Sequence, residues 1–373
     1  MGPVQIRLLL AGVLVVSLVA NLCMLLHTQN FPEVVVARDD RVQWEARQMV
    51  SKVIESFDLL SVQSSKALVL DSLLNCVLDQ LKPPEKDVPS YGYQVLENLT
   101  VPNLDAQVLQ AINRKLLAEV EKKKQVISFL SQPIIDNHVS SYTHNPENAC
   151  AEGETEVLFV VPSAPENFEK RGKVRQSDRG EFVTNESNKA KLLFFLGKPE
   201  NNNQTIQSKI DEEANQYQDI VQENFPDVYK NIRLKAMSML KWAITYCKQT
   251  SYVIRTDDDV KVNTSELISI MKRTNEKFEN FILGDKKENW EAVRNNASKY
   301  YLPVSEYSQK VLPPFALGGL LGYPLSTVTL LYNAALRIKP IWLDDVFITG
   351  ICAPKVNVPL LTDPGFTFVH RAW

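Results

Sequence analysis

From Val157 onward the chain alternates short, uninterrupted apolar runs with amphipathic stretches, and this alternation limits its possible folds more than any other feature. VLFVVP at 157–162 reads as a strand buried on both faces. KLLFFLG at 191–197, DIVQENF at 219–225 and SYVIRT at 251–256 read as three more. Between them lie a polar amphipathic stretch at 166–178 and the run 228–249, where Ile232, Ala236, Leu240, Ala243 and Cys247 recur on one helical face. Strands and helices in this order predict a doubly wound α/β domain around a mostly parallel sheet. Ligands of such sheets gather at the carboxyl ends of the strands. No internal repeat is visible.

The beginning of the chain has a different texture. Leu8 to Leu26 contains no ionisable residue, and as a helix it spans about 28 Å, enough for a bilayer core. Arg7 and the amino terminus are the only charges before it, which favours a cytoplasmic N-terminus with the remainder in the lumen. A cleaved signal peptide is the competing reading. Its apolar region would be shorter, and Leu18 stands where cleavage after Ala20 calls for a small residue. The expected organisation is a cytoplasmic tail at 1–7, a transmembrane anchor at 8–26, a helical stem at 27–154 and a catalytic domain at 155–373. Within the stem, amphipathic stretches at 40–82 and 104–132 are separated by Pro83-Pro84. They sustain no heptad, so a spacer is favoured over an oligomerising coiled coil. The polar run 140–156 reads as a linker.

Composition narrows the function classes. Lys and Arg number 41 against 44 Asp and Glu, a net charge of −3, which gives no general attraction to nucleic acid. Hydrophobic content of 45% excludes a largely disordered chain. Sequons begin at Asn98, Asn185, Asn203, Asn263 and Asn296, as in a secretory-pathway protein. Cys23 falls within the anchor, leaving Cys76, Cys150, Cys247 and Cys352 with three complete pairings open. No Cys or His spacing suggests zinc.

The chemistry-bearing residues are acidic. Asp257, Asp258 and Asp259 follow an apolar strand directly. Adjacent carboxylates repel one another unless a cation offsets them, and their oxygens suit Mg²⁺ or Mn²⁺. A solvated loop or a helix cap is the plain alternative. An EF-hand is excluded, because Val262 and Ile268 occupy the positions that need Gly and Glu. A second pair, Asp344-Asp345, is either a cap or a general base facing the same cleft. His370, in FTFVHRAW, is a candidate metal ligand or an ordinary packed histidine.

SAPENFEKRGKVRQS at 163–177 resembles the opening signature of the beta-1,3-glycosyltransferases of the galactosyltransferase family. Ser163, Ala164, Pro165, Asn167, Phe168, Arg171, Val174, Arg175 and Ser177 match it. The likeness continues in order through FFLG at 194–197, Glu213, Tyr217, Asp219-Ile220, Asp227, Tyr229, Asn231, Leu234-Lys235, Lys241-Trp242 and Cys247. TDDDVKVN at 256–263, SKYY at 298–301, PPF at 313–315, Gly318-Gly319 and LDDVFITGIC at 343–352 complete it. The chain departs from the pattern at Asp178, where the family carries Trp, and in the glycine texture of 316–323.

The resemblance implies a GT-A-type fold and an inverting, metal-dependent transfer from a UDP-sugar. The sugar, galactose or otherwise an N-acetylhexosamine, would pass in beta-1,3 linkage to a glycan on glycoprotein or glycolipid. By that resemblance Asp259 is the first metal ligand, Asp257 points to metal or ribose, Asp258 supports the donor site and His370 completes the metal shell. Asp345 is the general base, with Asp344 as the alternative. Arg171 and Arg175 either meet the nucleotide or form a structural ion pair. Gly318-Gly319 allows close approach of a sugar. The implied location is a Golgi membrane, single-pass and type II. The rivals are a catalytically weakened homologue serving as a lumenal binding or chaperone module, and a lumenal phosphohydrolase, for which no nucleophile is apparent.

Overall fold

A computed structural model describes residues 121–139, 141–150 and 155–367, with position 118. The predicted anchor at 8–26, most of the stem and His370 lie outside these residues. Among the described residues no helix is long and apolar enough to cross a membrane. The compact unit that holds the sheet runs from Gln125 to the end of the chain.

The sheet has eight strands in the order β1-β4-β3-β2-β5-β7-β6-β8. They are β1 Tyr142–His144, β2 Val157–Pro162, β3 Ala190–Lys198, β4 Ile220–Pro226, β5 Tyr252–Thr256, β6 Ile282–Lys287, β7 Phe315–Pro324 and β8 Leu360–Leu361. The four predicted apolar runs are β2 to β5, and they pair in parallel as β4-β3-β2-β5. Their strict alternation explains why both sheet faces are apolar. Leu158, Val160, Leu193 and Phe195 pack into one core. Val157, Phe159, Val161, Leu192, Phe194 and Leu196 pack into the other.

Helices cover both faces. α1 is Phe168–Arg175, α2 Asp178–Thr184, α3 Gln204–Tyr217, α4 Ile232–Tyr246, α5 Thr264–Asn275 and α6 Leu325–Ala335. α4 buries Ala236, Met237, Met239, Leu240, Trp242 and Ala243 against the first core. The sheet is more mixed than the sequence suggests. β7 runs antiparallel to both β5 and β6, and so places Gly318-Gly319 beside the acidic end of β5. The run 140–156 is more than a linker. Tyr142–His144 adds an antiparallel edge to β4, and Cys150 forms a disulfide with Cys247 at the end of α4. Cys352 is a buried free thiol, so none of the three complete pairings left open is met.

Candidate active site

The β5 strand ends at Thr256, and the three aspartates turn away from the sheet in different directions. Asp258 points inward and is 5% exposed. Its carboxylate accepts from Ser163 Oγ at 2.7 Å, Asn167 Nδ2 at 2.8 Å and Lys170 Nζ at 3.3 Å. It ties the β2–α1 loop to the end of β5. Asp259 is exposed, and its Oδ2 lies 3.2 Å from the same Lys170 ammonium. Asp257 keeps 38% of its side chain open, yet its Oδ1 is buried without a hydrogen-bond partner. Burial, reinforced by Asp344 and the neighbouring aspartates and opposed by Arg255, pushes the Asp257 carboxyl up to about 6.

Arg255 joins the triplet to the second acidic pair. It stands two positions before Asp257 and therefore on the same face of β5. Its Nη2 lies 3.7 Å from Asp257 Oδ1, and its Nη1 donates to Asp344 Oδ2 at 2.5 Å. Arg255 and Asp344 are both buried. Asp345 caps a π-helix, Val346–Cys352, a local form common at functional sites. Its side chain accepts the Val346 N–H at 2.7 Å. Thr349 locks that turn, donating to the Asp345 carbonyl at 2.6 Å and accepting the Ala316 N–H of β7 at 2.9 Å. Burial first, and the Asp344 charge second, push the Asp345 carboxyl up to about 7, against the Val346 N–H and Arg255. Asp344 and Asp345 also border a small cavity lined by Arg255, Tyr323 and Thr349. The two acidic motifs are thus brought to one region of the sheet.

Two candidate site residues are engaged in ion pairs. Arg171 is fully buried, and all five of its N–H donors have partners in Glu213, Ser163 and the carbonyls of Ala164 and Pro165. Arg175 pairs with Glu213 and Asp219 and lies 3.9 Å from the Tyr217 ring centroid. Burial opposes ionisation of Glu213, but the two guanidiniums outweigh it and hold the carboxyl below its ordinary value. Both arginines stand in the ion pairs that were the alternative to nucleotide contact. Arg171 also clamps the Ser163–Pro165 loop, whose Ser163 hydroxyl donates to Asp258. Gly318 makes room for Arg255, since a Cβ there would lie 3.0 Å from Arg255 Nη2. The departure at Asp178 has a local role, its Oδ2 accepting the first N–H of α5 from Thr264 at 2.6 Å.

Three residues went unnoticed in the sequence. Lys170 bridges Asp258 and Asp259. Arg179, fully buried, donates to the Val260 and Asp257 carbonyls from behind the acidic turn. Burial pushes its guanidinium down to about 10, against the three aspartate charges. Arg255 had a usable signal in its two-residue spacing from Asp257; the other two had none.

Among the described residues, no three His, Cys, Asp or Glu side chains form a closed metal cage. The arrangement instead fits a hard cation held by one or two carboxylates and completed by phosphate and water. The exposed Asp259 and the Asp257 carboxylate, whose Oδ1 accepts no hydrogen bond, are the groups available for it. His370 lies outside the described residues.

A family model described as galactosyltransferase matches residues 170–364. Mouse beta-1,3-galactosyltransferase 2 is 31% identical over 235 residues, 62% of this chain and 54% of that protein. Mouse beta-1,3-galactosyltransferase 1 is 26% identical over 246 residues, 64% of this chain and 72% of that protein. The matched stretch thus spans about half the length of the former relative. Among solved structures, the mannosyltransferase PcManGT from Pyrobaculum calidifontis, in complex with GDP-Man and Mn²⁺, superposes with a TM-score of 0.34 at 14% identity. That likeness covers 69% of this chain and 65% of PcManGT, and is too loose to transfer any feature.

Proposed function

The chain belongs to the galactosyltransferase family, and on that premise we propose that it is an inverting glycosyltransferase with a GT-A-type fold. It moves a hexose from a UDP-sugar to a glycan hydroxyl in beta-1,3 linkage. The names of its relatives favour galactose, with an N-acetylhexosamine as the other donor sugar. The observation that carries the reading is Arg255, which couples the strand-end aspartates to Asp344 beside Asp345.

In this reading Asp259 and Asp257 would hold Mn²⁺ or Mg²⁺, with His370 as a further ligand, and the bound cation would offset the charge that develops on a departing diphosphate. Asp258 keeps the loop in place through Ser163, Asn167 and Lys170. Asp345 receives the proton of the acceptor hydroxyl as its oxygen attacks the anomeric carbon from the side opposite the diphosphate. A carboxyl pushed up to about 7 is well matched to that task near neutral pH. Asp344 is held by Arg255 and fixes the position of its neighbour.

The apolar stretch 8–26, the preceding Arg7 and the sequons support a type II Golgi anchor with the catalytic part lumenal. The stem is read as a spacer, and its last part folds with the catalytic domain, since Tyr142–His144 and Cys150 belong to the unit that starts at Gln125. One observation favours the alternative of a catalytically weakened binding module, the Lys170 ammonium seated between Asp258 and Asp259.

The test is UDP release by the full-length chain in detergent from a panel of UDP-sugars, with and without Mn²⁺ and acceptor glycans. Turnover that needs both metal and acceptor supports transfer. A folded chain with no turnover on any donor supports the binding module.

A further inference from the structure

Beyond the acidic residues, an aromatic cluster borders Asp345, and the transfer reading gives it no role so far. Tyr229 follows β4 and is 49% exposed, while Tyr300 lies on the loop before β7 and is 46% exposed. Their ring centroids are 6.5 Å apart. Behind them Trp342 is almost buried, with its ring 5.6 Å from that of Tyr229 and its Nε1 donating to the Tyr301 carbonyl at 2.9 Å. Lys230 caps the Trp342 ring at 3.5 Å and donates to the same carbonyl at 2.8 Å. Trp342 is thereby fixed as a wall, and the two tyrosines keep about half of their surface facing solvent. Lys299 lies over them, its Nζ 4.8 Å from the Tyr300 ring centroid and 5.8 Å from that of Tyr229.

The location gives the cluster its meaning. Trp342 precedes Asp345 by three residues on the segment that enters the π-helix. Burial, Tyr300, and then Asp344 and Asp345 push the Tyr229 hydroxyl up to about 12, so it remains a protonated donor near these acids. Clustered half-exposed aromatic rings with hydroxyl and ammonium donors at the edge match the faces of a pyranose. Its C–H groups lie on the rings, and its hydroxyls meet the donors. The strand-end aspartates are linked to Asp345 through Arg255 and Asp344, and Tyr229 packs on Trp342, three residues before Asp345.

We propose that Tyr229 and Tyr300, backed by Trp342, form the aromatic platform for the terminal pyranose of the acceptor, with Lys299 as a polar contact beside it. The proposal rests on the reading of Asp345 as the base that receives the acceptor's proton. The platform sets which sugar ring is presented to that base. It plays no part in holding the diphosphate.

Saturation-transfer NMR of the full-length chain with methyl beta-galactoside and methyl beta-N-acetylglucosaminide measures acceptor binding without any turnover. Transfer of saturation to ring protons of one of these is expected, and Tyr229→Ala and Tyr300→Ala each weaken that affinity about tenfold. Tyr229→Phe recovers most of it. Binding of UDP with Mn²⁺ stays within about twofold in all three variants, which shows that they are folded. Unchanged saccharide affinity in both alanine variants overturns the platform even if transfer is established. Lost saccharide affinity in a chain with no turnover supports the platform and contradicts the transfer reading. Because Asn296 begins a sequon on the same loop, Asn296→Gln is included. Affinity that arises only in that variant means the protein's own glycan covers the rings, and overturns the proposal.

Discussion

Arg255 Nη1 donates to Asp344 Oδ2 across 89 positions of sequence, and both side chains are buried. Removing one partner of such a pair leaves the other charge without compensation. Arg255→Met is therefore expected to lower unfolding free energy by about 3–5 kcal/mol in denaturant titration. Arg255→Met combined with Asp344→Leu recovers much of that loss. Full stability in the single variant contradicts the pairing.

The pH dependence follows from Asp345, whose carboxyl is pushed up to about 7. As the proton acceptor it must be ionised, so kcat/KM is expected to fall about tenfold per pH unit below that value and to level off above it. Asp345→Asn abolishes this limb and lowers transfer by about 10²–10⁴ while UDP binding persists. Stability has its own sign. The raised carboxyl binds a proton in the folded state that the unfolded chain, titrating near 4, has already released. The Asp345 contribution therefore declines as pH rises from about 4 to about 7, then stays constant. A flat rate profile through this range moves the base elsewhere.

Arg171 separates a clamp from a ligand-binding group. With its donors engaged by Glu213 and the Ser163–Pro165 loop, Arg171→Ala is expected to destabilise the fold by about 3–5 kcal/mol. Arg171→Lys does not rescue it, since an ammonium cannot reproduce the forked geometry. A variant that melts like the parent but no longer binds UDP restores the direct nucleotide contact.

The Cys150–Cys247 bridge spans a sequence separation of 97, and it fastens the edge segment to the end of α4. Its removal as Cys150→Ser is expected to cost about 2–5 kcal/mol by thermal or chemical unfolding. An unaltered midpoint means that the edge segment docks without it.

What was legible in the sequence follows from how local each signal is. β2 to β5 could be read because a strand buried on both faces is continuously apolar, as in VLFVVP and KLLFFLG. The acidic triplet could be read because it directly follows such a strand. β7 was not legible as an antiparallel insertion, since FALGGLLGYP states no direction. For Arg171 and Arg175 the choice between nucleotide contact and ion pair stayed open in the sequence, because Glu213 and Asp219 lie far along the chain and nothing local announces them. The sequons show the reverse ambiguity. Asn185, Asn203 and Asn263 each cap a helix with the side chain, so the same three residues serve as local structure as well as a glycan signal. The aromatic cluster draws on three separated segments, and only the folded chain brings Tyr229, Tyr300 and Trp342 together.

The central claim is that the strand-end aspartates hold a divalent cation against a diphosphate. Titration calorimetry of UDP into the full-length chain, in Mn²⁺ and in EDTA, tests it most directly. UDP is expected to bind in Mn²⁺, to lose at least tenfold in affinity in EDTA, and to lose as much in Asp259→Asn whatever the metal. Equal affinity in Mn²⁺ and EDTA, or an Asp259→Asn variant that binds like the parent, would contradict the account.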